Sequence, residues 1–119
     1  MENKEYELIA VIVNRGFSTL VMDAARSKGA KGGTILHGHG TGSVEDEQFF
    51  NIGLDGEKEV VLIVTDKTER NAVMDGIIRA ERFLTDAHGI IFTLPVDDFV
   101  TMRKLHDEEE EGEKDGTDA

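Results

Sequence analysis

The chain has 119 residues, enough for one domain with a core of its own. Its 25 acids against 13 bases give a net charge of −12, which argues against sequence-independent nucleic-acid binding and against docking on anionic membranes. The absence of cysteine excludes disulfides, thiolate chemistry and Cys-ligated metal sites, and no stretch approaches the roughly 20 apolar residues of a membrane span.

The first apolar run, Tyr6 to Val13, is short, and no cleavage signal follows it, so no signal peptide is expected and the protein reads as cytoplasmic. The run is rich in Ile and Val and suits a strand buried on both faces. Asn14-Arg15-Gly16 reads as a turn. Phe17, Leu20, Val21, Ala24 and Ala25 then recur at helical spacing, with Ser18 as a candidate cap and Gly29 as a left-handed terminator. Thr34-Ile35-Leu36 starts a second strand, and Val60 to Val64 forms a third. Asp66 stands three residues before Glu69, the spacing of a capping box. The helix expected after it carries Val73, Ile77, Ala80 and Leu84 on one face. Gly89 opens a last strand, Ile90 to Leu94, and Pro95 ends it or places it at an edge. Val96 to Leu105 adds a short helix or a swapped strand. Residues 107–119 carry eight acids and one base and have no apolar residue but Ala119, so a disordered, solubilising tail is expected.

The order β-α-β-β-α-β implies an α+β, ferredoxin-like sandwich over residues 1–106, an antiparallel sheet with two helices on one face. Both helices are amphipathic and cover one side only. The first and third strands are apolar on both sides, so the open side is expected to be buried against other copies of the chain.

Eight of the 13 glycines lie between residues 29 and 56. Glycines let backbone amides approach an anion closely, and Thr41 and Ser43 add hydroxyls. The segment has neither the Lys-Ser/Thr ending of a Walker loop nor the helix that follows a Rossmann fingerprint. A plain hairpin and an anion-binding loop both remain open on spacing alone. The excursion spans about residues 40–59, far beyond an ordinary hairpin. Ser43, Phe49, Phe50, Ile52 and Leu54 within it are candidates for a partner-binding surface. His37 and His39 share a strand face and, with His88, form a candidate transition-metal set. No catalytic triad or carboxylate pair can be placed, so the protein is not expected to be an enzyme.

The Gly40-Thr41-Gly42 after the second strand, the segment Gly76-Ile-Ile-Arg79-Ala, and the ending Gly89-Ile-Ile-Phe92-Thr-Leu-Pro-Val96 through Arg103 resemble the PII signal-transduction family. The likeness covers residues 5 to about 105. It implies a homotrimer with an adenine nucleotide (ATP, ADP or AMP) in clefts between subunits. It also implies a loop after the second strand, the T-loop, that docks on a membrane transporter or metabolic enzyme in nitrogen or related metabolism. Carried over by position, Gly32 and Thr34 match the adenine and ribose neighbourhood. Gly40, Thr41 and Gly42 match the phosphate-facing base of the T-loop. Ala87, His88, Gly89 and Ile90 match the loop before the last strand, and Arg103 matches an arginine reaching from the adjacent subunit. Ile90 stands where the family places a phosphate-binding Lys, Thr101 where it places a second Arg, and Ala87-His88 where it places Gly-Asp. The two missing cations remove charge-assisted bonds worth roughly 1.5–3 kcal/mol each, so weaker triphosphate binding is expected. The loop after Gly42 is shorter than the family's and has no Tyr. The alternative reading is a metal-binding trimer similar to CutA, built on His37, His39 and His88; on the PII reading no metal is expected.

Overall fold

In the computed structural model, residues 5–41, 56–82 and 89–102 are described. The elements are β1 (Tyr6–Asn14), α1 (Ser18–Ser27), β2 (Thr34–Gly40), β3 (Gly56–Asp66), α2 (Arg70–Arg82) and β4 (Ile90–Val96). The strands form one antiparallel sheet in the order β2-β3-β1-β4, which is the expected ferredoxin-like arrangement.

Strand alternation divides the apolar residues between two faces. Ile9, Val11 and Val13 of β1 and Val61 and Ile63 of β3 point toward the helices, and all are fully buried. There they meet Val21, Met22 and Ala25 of α1 and Val73 and Ile77 of α2. Each fully buried Val or Ile contributes roughly 1.5–3 kcal/mol relative to exposure. Val21, Ala25, Val73 and Ile77 are the residues the helical spacing picked out. Leu84 lies outside the described residues.

The other face is built in rows set by the strand register. Leu36, Val60, Ile12 and Ile90 lie side by side, then Thr34, Leu62, Ala10 and Phe92, then Val64, Leu8 and Leu94. Among the described residues no helix covers these rows. Leu36, Val64, Phe92 and Leu94 are between 39% and 47% exposed. Among the described residues, the Phe99 ring packs on this face at its end, tilted against Tyr6 with ring centroids 4.8 Å apart.

Local signals account for the element ends, with three differences from the sequence reading. Gly29 has φ +111° and closes α1, with the Gly29 amide donating to Arg26 O and the Ala30 amide to Ala25 O. Ser18 does not cap α1 with its side chain; its amide is instead held by a carboxylate from β3, described below. Asp66 takes the Thr68 amide and hydroxyl and so holds the turn ahead of α2, which begins at Arg70, later than a capping box on Asp66 would start it. Finally, β2 and β3 stay paired out to Gly40 and Gly56, so Glu57 to Glu59, assigned to the excursion from composition, are strand.

Pro95 lies in β4, an edge strand, where its missing N–H removes no ladder bond from the sheet interior. Residues 97–101, expected as a short helix or swapped strand, carry no regular structure, and the rest of that segment lies outside the described residues.

Candidate functional site

Three groups of predicted residues fall at defined places in the sheet. Gly32 precedes β2, and Thr34 begins it on the open face opposite Leu62. Gly40 ends β2, with Thr41 just beyond. Gly89 precedes β4, and Ile90 begins it opposite Ile12. Because β2 and β4 both run antiparallel to their neighbours in a sheet ordered β2-β3-β1-β4, Gly40 and Ile90 reach the same end of the sheet on opposite edges. Three strand spacings separate those edges, about 14 Å. One copy of the chain therefore does not bring these two groups together.

Gly33 rather than Gly32 is the glycine the fold itself needs. A Cβ on Gly33 would stand 2.9 Å from Leu62 O and from Met22 Sδ, whereas one on Gly32 would meet nothing within 4 Å. Gly32 borders open space.

Ile90 is half-buried in the first apolar row, beside Ile12. At the position where the PII resemblance expects a phosphate-binding cation, the side chain extends the apolar face. Thr101 is exposed after β4. Gly42, His88 and Arg103, and the loop candidates Ser43, Phe49, Phe50, Ile52 and Leu54, lie outside the described residues.

The sequence reading missed a polar cluster at the same end of the sheet. Glu59 on β3 is 7% exposed and faces the start of α1. Its Oε1 accepts the Gly16 and Ser18 amides, each at 3.1 Å, and its Oε2 lies 3.6 Å from His37 Nδ1. The Ser18 hydroxyl, the two amides and His37 outweigh burial and hold the Glu59 carboxyl below the usual carboxylate range. On the other side of the sheet, Lys58 is buried and donates to Asn14 Oδ1 at 2.6 Å, across the register pair that joins the ends of β3 and β1. The available signal was three charged residues in succession at the head of an apolar strand, opposite a helix whose own first turn holds no acid.

His37 and His39 share the helix-side face of β2, opposite Glu59 and Glu57. Among the described residues no group of three or more His, Asp or Glu is placed to hold a metal ion. His88, the third member of the predicted set, lies outside them. No helix among the described residues is long and apolar enough to cross a membrane.

Residues 6–106 match the family model described as nitrogen regulatory protein P-II. The crystal structure of Arabidopsis thaliana PII bound to citrate superposes with a TM-score of 0.66 at 27% identity, covering 84% of this chain and 85% of that one. A putative PII-like signaling protein from Thermus thermophilus superposes with a TM-score of 0.56 at 15% identity, covering 81% and 90%, and shares the fold. No curated protein sequence matches the chain.

Proposed function

The chain belongs to the nitrogen regulatory protein P-II family, and on that premise we propose that it is a trimeric signalling protein that binds an adenine nucleotide between subunits and controls a partner. The family is one of regulators, and the Arabidopsis relative shares both the fold and a quarter of the sequence.

The observation that carries the proposal is the division of the candidate residues between two sheet edges with an uncovered apolar face between them. Closing that face against two further copies sets the β2 edge of one copy beside the β4 edge of another. The Gly40–Thr41 amides and hydroxyl then stand across from Gly89 and Ile90. Gly32, with open space where a side chain would stand, fits a neighbour or a base approaching closely. On this reading the connection from β2 to β3 reports occupancy to a transporter or metabolic enzyme. The mechanism is a shift in populations, effective to the extent that the nucleotide binds one arrangement of that segment better than another.

With Ile90 apolar and Thr101 in place of arginine, the site favours AMP or ADP over ATP. Citrate joins the panel of ligands because the Arabidopsis protein binds it. Isothermal titration with ATP, ADP, AMP, cyclic AMP and citrate tests the reading. Saturable binding of an adenine nucleotide at one site per chain is expected, and flat traces for all four nucleotides contradict it.

A further inference from the structure

The helix α1 begins without a cap of its own. Phe17 occupies the cap position with no side-chain bond to the helix, and no acid stands in the first turn. A helix start leaves its first amides without intrahelical partners. Here the partner comes from the start of β3, more than 40 residues along the chain.

Three successive residues of β3 each hold the turn between β1 and α1, and each does so with a different group. The Glu57 carbonyl accepts the Arg15 amide at 3.2 Å. The Lys58 ammonium donates to Asn14 Oδ1 at 2.6 Å on the open face of the sheet. On the helix face, Glu59 Oε1 accepts the Gly16 and Ser18 amides, each at 3.1 Å. Lys58 and Glu59 are both buried. On their other edge the same three residues pair with His39, Gly38 and His37 of β2. The stretch Glu57–Glu59 therefore stands between the hairpin that ends at Gly40 and Gly56 and the turn that launches α1.

We infer that this clasp makes the start of α1 and the Gly40–Gly56 end of the β2–β3 hairpin one cooperative unit, so that a change at either is felt at the other. Lifting the start of β3 strips the Gly16 and Ser18 amides of their shared acceptor. It also takes from a buried carboxylate the donors that satisfy it, and a buried polar group left unmade costs more than its bond contributes when made. The bonds lie on both faces of the sheet and on the backbone between them, so no single one is freed without straining the rest. Groups tied in this way open together as a local unit. The coupling is reciprocal, because it is a free energy shared by the two ends.

The link to signalling rests on the proposed function: whatever orders or displaces the connection leaving Gly40 also fixes or frees the first turn of α1. The clasp needs no nucleotide and its test uses none, so either reading can fail without the other.

Amide hydrogen exchange of the full chain tests the inference, with the fully buried Ile9, Val11 and Ile63 as the internal reference for global stability. Lys58→Met removes the open-face bond and touches neither Gly16 nor Ser18. It is expected to raise exchange at Gly16 and Ser18, and at the protected amides from His37 to Gly40, by about three- to tenfold over the reference, the factor that the net worth of one hydrogen bond corresponds to. Glu59→Ala cuts the clasp from the other face and is expected to raise exchange from His37 to Gly40 as well as at the two amides it served. Unchanged exchange at Gly16 and Ser18 in Lys58→Met overturns the proposal, as does a Glu59→Ala effect confined to those two amides. Should Glu59→Ala fail to fold, Lys58→Met decides alone.

Discussion

The two faces of the sheet are written in nearly the same alphabet and meet different fates. Toward the helices, Ile9, Val11, Val13, Val61 and Ile63 are sealed; on the far side, Leu8, Ile12, Leu36, Leu62, Phe92 and Leu94 form equally apolar rows that no element among the described residues covers. The contrast teaches that side-chain type alone does not say which face is core. That is decided by where two amphipathic helices land, and both land on one side. The covered face holds the single chain together, whereas on the proposed function the open face meets other copies.

The strongest way to break this comparison is to substitute matched residues on each face. Ile63→Ala or Ile9→Ala removes a fully buried side chain and should cost about 2–5 kcal/mol in denaturant unfolding of the chain itself. Phe92→Asp on the open face should leave the helical and strand content intact while lowering the assembled mass in sedimentation, because it sets a charge in the middle apolar row. If Phe92→Asp instead unfolds the chain at low concentration, the two faces do not divide the work in this way.

A smaller effect sharpens the boundary of the covered face. Gly33→Ala places a methyl 2.9 Å from Leu62 O and Met22 Sδ and should cost about 1–3 kcal/mol, while Gly32→Ala should be nearly neutral for stability. Thermal unfolding of both variants separates them.

Glu59 supplies the next prediction. Its folded-state carboxyl is held below the ordinary value, so its contribution is present above about pH 4.3 and is lost as the pH falls through the lowered value. Glu59→Gln should therefore flatten part of the acid limb of the stability profile and cost about 1 kcal/mol near neutral pH, as loss of a helix cap does. An acid limb identical in wild type and variant would remove Glu59 from the account. The smallest effect belongs to the exposed Asp75–Arg79 pair on α2, where Asp75→Asn should change stability by no more than about 0.5 kcal/mol.

Much of the fold was legible because it is encoded locally. The apolar run of β1, the helical spacing from Phe17 to Ala25, Gly29 at a positive φ and Pro95 on an edge strand all follow from neighbours a few residues away. The start of β3 was not legible for the opposite reason. Glu57, Lys58 and Glu59 look like loop, yet Lys58 is satisfied by Asn14 and Glu59 by Gly16 and Ser18, partners more than 40 residues away. Ser18 as a cap failed on the same ground, since a distant carboxylate took the role. For the candidate site, glycine motifs located Gly40 and Gly89, but only strand order reveals that they stand on opposite edges of one sheet.

The most direct test is sedimentation of the full chain with an adenine nucleotide present, followed at the nucleotide's absorbance. The account predicts a boundary at three times the 13.1 kDa chain mass that carries nucleotide with it. A 13.1 kDa species that binds nucleotide just as well on its own would contradict it.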